Sequence, residues 1–304
     1  MRANILRFFI ALLTGSLASA LAQNAPVNPS EHRPVSVSMF VTDAHGNPVS
    51  AISDGDVNVE DEHKPPRSVI TVTHDVSPLR LGVLIDKSNS QRRSDLYKAG
   101  VQGLSTFLKE VLRRDTDKAF IETFDSSPDR PTEWMSADEL GKASLNLQPS
   151  GATSLFDAIE LACKERLSDN FSPARRVLVV LSDGGDTSSR SNLDAATAAA
   201  QRAKTAIITI STHEEGNIYQ RGGTDGVLKR LAENTGGYAF LDLRPKDIQK
   251  VFSNISQQLD AMFQVVYVPA EPANSGEAHQ VEIKATSGKK LHVHAPKRYF
   301  GTTQ

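Results

Sequence analysis

The sequence predicts a doubly wound, mostly parallel α/β sheet flanked by a small antiparallel β-sandwich, which is formed from the N- and C-terminal segments. Two observations indicate this fold class. Residues 81–85, 177–181 and 206–210 are near-continuous apolar runs separated by helical stretches, as expected of parallel strands buried on both faces. Toward both ends of the chain, short segments instead alternate apolar and polar residues, as expected of antiparallel strands with one buried face.

Residues 1–22 predict a secretory signal peptide. Arg2 and Arg7 precede the apolar run 8–13, and small residues suited to cleavage follow. Residues 23–34 are polar and contain prolines, so we expect a flexible lead. No other segment approaches the roughly 20 apolar residues that a spanning helix needs. We therefore expect a mature chain without a membrane span, exported to the periplasm or out of the cell.

Two β segments are predicted, at 35–76 and 263–304. Their alternating runs are 35–41, 57–60, 69–73, 263–268, 280–284 and 291–294. Because the two segments enclose the α/β block in sequence, we expect them to combine in one β-sandwich with the block inserted between its parts. The alternative is that each end of the chain forms a sheet of its own.

The α/β domain is predicted at residues 77–262. Besides the three apolar strands, residues 119–124 and 238–241 are predicted strands. Helical patterns cover 94–112, 154–167, 191–204, 224–234 and 246–262. Ser191 or Asn192 is a suitable N-cap for the helix at 191–204, because short polar side chains accept hydrogen bonds from the first turn.

The composition restricts the classes of partner. Over 304 residues the formal net charge is −2, and the paired arginines are scattered along the chain. Nucleic acid is therefore not expected as a partner, because neutralising phosphates needs a basic surface. Cys163 is the one cysteine of the sequence, so no internal disulfide can form. Its helical surroundings predict a small buried side chain.

Polar side chains follow three element boundaries of the predicted sheet. Asp86, Ser88 and Ser90 come after the first apolar strand, Thr153 precedes a helix, and Asp183 comes after the second apolar strand. Ligands of open parallel sheets bind at the carboxyl ends of the strands, and extended residues two apart face the same way. Two carboxylates and three hydroxyls, without histidine or cysteine, predict Mg²⁺ or Mn²⁺ rather than Zn²⁺.

The spacing Asp86-x-Ser88-x-Ser90, then Thr153 in a Gly-x-Thr context and Asp183 in Ser-Asp-Gly, resembles the metal-ion-dependent adhesion site of von Willebrand factor A-type (VWA) domains. A lone Asp-x-Ser-x-Ser is a weak motif, but three matching segments in family order are specific. The resemblance covers about residues 79–262 and implies a Rossmann-like fold. It also implies that the three hydroxyls bind the metal, while the two carboxylates bind it directly or through water.

The flanking segments extend this resemblance. Residues 41–43 and 46–49, together with 267–269 and the closing 298–300, resemble exported "VWFA-related" proteins known chiefly from Acidobacteria. With that group, the resemblance covers nearly the whole mature chain.

The resemblance implies a binding protein. A protein partner is expected to offer an acidic side chain that completes the coordination of the metal. The surrounding loops, at about 87–93, 151–154, 184–190 and 213–223, are expected to supply specificity.

An enzyme is not expected. Asp86 directly after the first strand resembles the nucleophile of haloacid dehalogenase-type phosphatases, but Ser88 stands where that family has a second Asp. The sequence lacks both the Gly-x-Ser-x-Gly of serine hydrolases and a phosphate-binding loop. The main alternative is a metal-independent structural or assembly protein of the cell envelope, and the less favoured one is a Mg²⁺-dependent phosphoester hydrolase.

Three other polar residues have structural interpretations. Asp186 is expected to cap the following helix rather than to join the metal site. His292 and His294 share one face of a predicted strand, which is more often a surface feature than a metal site.

Overall fold

The computed structural model describes residues 32–142, 147–168, 173–213, 218–286, 288 and 290–301. The predicted signal peptide lies outside the described residues, as does the predicted lead up to residue 31. Within the described ranges, no helix is long and apolar enough to cross a membrane.

The elements follow one another from a β-rich start through an alternating middle to a β-rich end. The strands are β1 (Val35–Asp43), β2 (Val57–Asp61), β3 (Ser68–His74), β4 (Leu79–Asp86), β5 (Lys118–Phe124), β6 (Arg175–Ser182), β7 (Thr205–Ser211), β8 (Ala239–Phe240), β9 (Phe263–Val268), β10 (Ala278–Ala285), β11 (Leu291–His294) and β12 (Arg298–Phe300). The helices are α1 (Asp95–Val111), α2 (Ala137–Leu140), α3 (Leu155–Ala162), α4 (Leu193–Arg202), α5 (Ile218–Thr235) and α6 (Ile248–Asp260).

The two ends of the chain interleave in two antiparallel sheets. One has the strand order β11-β1-β9-β3 and the other β12-β10-β2, so each sheet contains strands from both ends. Alternate side chains of both sheets, among them Val37, Val59, Val265 and Ile283, meet in one apolar core. The prediction of a single β-sandwich formed from both terminal segments is therefore confirmed, and the alternative of separate sheets is wrong.

A buried polar cluster lies within this sandwich core. The hydroxyls of Tyr267 and Tyr299 both donate to Oδ2 of Asp61, at 2.7 and 2.8 Å. Asp61 is 2% exposed, and the two tyrosines come from strands of different sheets. Two donors on one oxygen suit a carboxylate, which only accepts hydrogen bonds. The cluster therefore joins the two sheets at one point.

The central sheet is parallel throughout, in the order β5-β4-β6-β7-β8. Successive side chains of its strands alternate between two apolar cores. Val83 and Val179 face α1 and α6, whereas Leu84 and Val180 face α3, α4 and α5. The result is a three-layer α/β/α block, which confirms the predicted doubly wound fold class.

The connections between sandwich and block run side by side. The backbone N–H of Asp75, just after β3, donates to the carbonyl of Met262, just before β9, at 2.9 Å. The guanidinium of Arg175 donates to the carbonyls of Ser77 at 2.8 Å and Leu259 at 2.5 Å. Hydrogen bonds thus hold together the two chain segments that enter and leave the α/β block.

Some elements differ from the sequence-based expectations. β12 and α2 were not predicted, and α5 begins at Ile218 rather than at residue 224, where three glycines nearby lower helix propensity. A wider helical turn, Cys163–Leu167, follows α3. Asn192 caps α4, since its side chain accepts the N–H of Ala195 at 3.0 Å.

The strand order creates a switch point. The chain leaves β4 toward β5 on one side of the sheet, whereas it leaves β6 toward β7 on the other side. The loops after β4 and β6 therefore diverge and leave a crevice between two neighbouring carboxyl ends, which is where open α/β sheets bind ligands.

Glu122 on β5 is an unusual carboxyl group in the apolar core. It is 1% exposed, and within the described part of the chain neither of its oxygens has a hydrogen-bond partner. Burial, with smaller contributions from the Asp129 and Glu165 carboxylates, raises the pKa of Glu122 to about 9. The group is therefore neutral in the folded protein at neutral pH, and it ionises on unfolding.

Tyr267→Phe is expected to lower the free energy of unfolding by about 1.5–3 kcal/mol, because it removes a donor from a buried carboxylate. Tyr97→Phe is the matched control: the Tyr97 hydroxyl donates to a neutral carbonyl, that of Leu147, at 3.0 Å, so a loss of only about 1 kcal/mol is expected. Urea unfolding at neutral pH measures both. Equal losses in the two variants would contradict the account of the Asp61 cluster.

Glu122→Gln is expected to stabilise the protein increasingly as the pH rises. The folded-state pKa of Glu122 is raised, so its contribution to stability is fully present below the unfolded-state pKa, near 4.5, and is lost as the pH rises toward about 9. Near pH 4.5 the variant should match the wild type, and its advantage should grow by about 1.4 kcal/mol per pH unit above that, to as much as about 5 kcal/mol at pH 8. Urea unfolding across this pH range tests the slope, with the exposed Glu277→Gln as control. A pH-independent difference would contradict the neutral-carboxyl assignment.

Candidate functional site

Asp86 ends β4 with its carboxylate inside the protein, at 0% exposure. Its contacts are all neutral donors: the backbone N–H of Ser88 at 2.9 Å, the hydroxyl of Ser182 at 2.7 Å and the Gln91 amide at 3.3 Å. Burial, and then the nearby Asp183 carboxylate, raises the pKa of Asp86 to about 6. No cationic side chain within the described ranges forms an ion pair with Asp86, so a buried negative charge remains uncompensated.

Ser88 and Ser90 extend the same cluster. The two hydroxyl oxygens lie 2.9 Å apart, with Ser88 1% exposed and Ser90 at the surface. The chain stays extended only as far as Ser88, because Asn89–Arg93 forms a 3₁₀ turn, so the expected alternation ends before Ser90. The turn itself brings Ser90 to Ser88 and thereby groups Asp86, Ser88 and Ser90.

Asp183 lies just beyond the end of β6, the sheet neighbour of β4. Its Oδ1 accepts the N–H of Gly185 at 3.0 Å, and its side chain is partly exposed. Gly184 between them has φ +79°, and a Cβ on it would meet the carbonyl oxygen of Thr224 at 2.4 Å. Only glycine fits this turn, which packs directly against α5.

Thr153 precedes α3 on a third loop. Its backbone carbonyl accepts the N–H groups of Thr187 and Ser188, both at 2.9 Å, which binds this loop to the one after β6. The N–H of Asn89 donates to the Gly151 carbonyl at 3.2 Å, which binds the same loop to the one after β4. Among the residues that the structure describes, no hydrogen bond joins the Thr153 hydroxyl to the other four predicted ligands.

Asp186 does not cap the following helix as predicted. Its carboxylate accepts the N–H of Phe156 in the first turn of α3 at 3.0 Å, and also the N–H and hydroxyl of Ser189. The first turn of a helix has free N–H groups, and α3, which lies earlier in the chain, presents them here. Asp186 is thereby engaged in structural hydrogen bonds, and Asn192 caps the next helix instead.

Two side chains at this site were not identified from the sequence. Ser182 donates to Asp86 and accepts the N–H of Gly184 at 3.1 Å. Gln91 donates its amide to Asp86 and to Ser90, both at 3.3 Å, and the opposite amide orientation would place oxygen against the carboxylate. Ser182 was adjacent to Asp183 in the motif, whereas nothing in the sequence pattern indicated Gln91.

The donor set fits a hard divalent cation. Two carboxylates and three hydroxyls lie on loops around one crevice, and the charge of Asp86 lacks a counter-ion. Two buried oxygens beside the cluster, Gln91 Oε1 and Ser154 Oγ, have no hydrogen-bond partner in the described part of the chain. Buried polar atoms of this kind commonly contact a bound water or ion. No group of three histidine, cysteine or acidic residues suited to a metal occurs among the described residues.

One protein family matches this chain. The family model of the von Willebrand factor type A domain matches residues 81–254 of this chain. No curated protein matches.

Several solved structures are similar to the chain at low sequence identity. A von Willebrand factor type A structure from Catenulispora acidiphila has 12% identity and a TM-score of 0.47, and the match covers 91% of this chain and 76% of that one. The vWF domain of the type V pili tip protein Mfa5 from Porphyromonas gingivalis has 14% identity and a TM-score of 0.48, with coverage of 60% and 95%. The PilB minor pilin from Streptococcus sanguinis has 13% identity and a TM-score of 0.46, with coverage of 66% and 63%.

Ser182→Ala is expected to lower the free energy of unfolding by about 2 kcal/mol in chelator-treated protein, because a fully buried carboxylate loses a donor. Ser211→Ala is the matched control at the paired position of the neighbouring strand, where the hydroxyl donates to the partly exposed Asp225 at 3.1 Å. Its expected cost is about 1 kcal/mol. Urea unfolding compares the two, and an equal or reversed order would contradict the burial of the Asp86 charge.

Proposed function

This chain belongs to the von Willebrand factor type A domain family, and on that premise we propose that it is a non-enzymatic binding protein that recognises a protein partner through one Mg²⁺ or Mn²⁺ ion. The observation that carries the proposal is the Asp86 carboxylate, which is fully buried at the switch point of the sheet and is surrounded only by neutral donors. A divalent cation would offset both this charge and its repulsion with Asp183.

In this proposal the hydroxyls of Ser88, Ser90 and Thr153 bind the ion. Asp86 and Asp183 bind it directly or through water and orient the shell, as hydrogen-bonded carboxylates do in metal sites. Because few carboxylates touch the ion, it retains positive charge toward solvent. An acidic side chain of the partner is then a suitable final ligand.

Arg92 at the rim supports an acidic partner. Its exposed guanidinium donates to two neutral acceptors, Oδ1 of Asn89 at 3.2 Å and the carbonyl of Pro149 at 3.4 Å. These bonds hold the guanidinium where the loop after β4 meets the loop that contains Thr153. Neither acceptor neutralises the positive charge. The charge favours approach of a carboxylate.

A second observation favours binding over catalysis. Phosphatases that use an aspartate nucleophile also use a lysine near it, and the nearest lysine in sequence is Lys87. Its ammonium group instead forms ion pairs with Asp125 and Asp129, on the opposite side of the strand. We therefore propose no catalytic residue in this protein.

The proposed place of action is outside the cytoplasm, in the periplasm or beyond the cell. The support is the sequence of residues 1–22, with its basic start, apolar run and small residues. Binding of a partner at the cell surface or within the envelope is consistent with export.

Calorimetric titration of Mg²⁺, and separately of Mn²⁺, into the mature protein tests the metal. One saturable site is expected, and Asp86→Ala should weaken binding by at least about tenfold to a hundredfold. Asp194→Ala, which removes an exposed acid in the first turn of α4, is the control and should leave binding unchanged. The titration is repeated with acetate, which stands in for the partner carboxylate. This repeat detects a site that binds the metal only when the partner supplies the last ligand.

Absence of saturable binding with and without acetate would contradict the metal-dependent proposal, and a metal-independent envelope protein would then be favoured. Turnover of p-nitrophenyl phosphate that depends on both Mg²⁺ and Asp86 would contradict the non-enzymatic assignment.

A further inference from the structure

The loop that follows β5, residues 125–129, touches all three loops that bear the proposed ligands. We call it the β5 loop. Toward the loop after β4, Oδ2 of Asp125 and Oδ2 of Asp129 lie 3.3 and 3.1 Å from the ammonium nitrogen of Lys87. Toward the other two loops, Ser126 Oγ accepts the N–H of Ala152 at 2.9 Å, and its carbonyl accepts the hydroxyl of Ser188 at 3.0 Å.

Lys87 is fixed at both its side chain and its backbone. It alternates with Asp86 and Ser88, so its side chain lies on the opposite side of the extended segment, and that side chain is 9% exposed. Its N–H donates to the carbonyl of Phe124 at 2.8 Å, and its carbonyl accepts the N–H of Ser150 at 2.7 Å. A buried ammonium that loses its partners is costly, so these ion pairs constrain the geometry strongly.

Asp125 joins the loop after β4 to the loop that contains Thr153. Its Oδ2 accepts the hydroxyl of Ser150 at 3.1 Å as well as the Lys87 ion pair. Since Ser150 also donates its N–H to the Lys87 carbonyl, one carboxylate and one backbone bond fasten the two loops together. The segment that continues from Ser150 reaches Thr153 within three residues.

Gly151 shows how closely the β5 loop approaches. Its φ is +70°, and a Cβ on it would lie 2.5 Å from Oγ of Ser126. The backbone of the Thr153 loop is therefore pressed against the β5 loop, and a side chain would push the two apart.

We propose that Lys87 and the β5 loop are positioning elements for the cation site: the ion pairs of Lys87 with Asp125 and Asp129 set the distance between the Ser88–Ser90 hydroxyls and the Thr153 hydroxyl. None of these three charged residues touches the cation. The inference rests on the proposed function, which supplies the cation. The contacts between the loops do not depend on the cation.

Lys87→Met tests the proposal, because it keeps the length and apolar stem of the side chain and removes its charge. In the mature protein, Mg²⁺ affinity should fall about tenfold to a hundredfold, as for other residues that orient metal ligands. In chelator, amide hydrogen exchange over residues 150–153 should accelerate. Lys98→Met is the control: this lysine pairs with Asp95 at 2.7 Å on the exposed face of α1, and its loss should change neither measurement.

Asp125→Asn is the second variant, in case Lys87→Met fails to unfold cooperatively. It keeps an acceptor for the Ser150 hydroxyl and removes one ion pair, so a smaller loss of Mg²⁺ affinity, about threefold to tenfold, is expected. Lys87→Arg keeps the charge and should recover part of the affinity that Lys87→Met loses.

The outcomes distinguish failure of the positioning proposal from failure of the proposed function. If the wild type binds Mg²⁺ and both neutralising variants bind it equally well with unchanged exchange, the positioning proposal is wrong and the proposed function stands. If the wild type does not bind Mg²⁺, the proposed function fails, and the exchange measurement alone decides: faster exchange over 150–153 supports the positioning role, and unchanged exchange overturns it.

Discussion

The Asp86 carboxylate, buried at the end of the first central strand, is the constraint on which the organisation of the site depends. A charge in this position is unfavourable unless hydrogen bonds or a counter-ion offset the loss of water. Ser88, Gln91 and Ser182 supply three neutral donors, and the nearby Asp183 adds repulsion rather than relief. The protein thus holds an anionic centre in the crevice where the loops after β4 and β6 diverge, an arrangement that a bound divalent cation would stabilise.

The remaining elements keep that centre in place. The parallel sheet sets the ends of β4 and β6 side by side, and the sandwich and its two adjacent connections hold the opposite end of the block through Arg175 and Met262. Since the proposed ligands come from three different loops, an error of about an ångström in any one would weaken coordination. In the proposed site, the hydrogen bonds and ion pairs of the β5 loop would hold these three loops in place.

Much of the fold could be predicted because local pattern carries that information, and the same pattern singled out the five candidate residues, whose metal binding stays a prediction. Apolar runs such as 177–181 identify strands buried on both faces, and the extended period places Asp86 and Ser88 on one side, whereas a 3₁₀ turn brings Ser90 to them. Contacts between distant segments left no such trace. Asp186 was expected to cap the next helix, but the fold brings the first turn of α3 to it, and Asp125 gains its role from Ser150 and Lys87, which lie far from it along the chain. Gln91 lies only five residues from Asp86, but the 3₁₀ turn that directs its amide toward that carboxylate was not predicted. The sandwich register likewise depends on pairing between opposite ends of the chain.

The most direct test of the central claim is a crystal structure of the mature protein soaked in Mn²⁺, with the metal located by anomalous scattering. One strong peak is expected in the crevice between β4 and β6, within about 2.5 Å of the Ser88 and Ser90 hydroxyl oxygens. The peak should vanish in Asp86→Ala crystals of the same form. A crevice that is open to solvent in the lattice and yet shows no peak, or a peak at another surface, would contradict the claim that this chain carries its cation at Asp86.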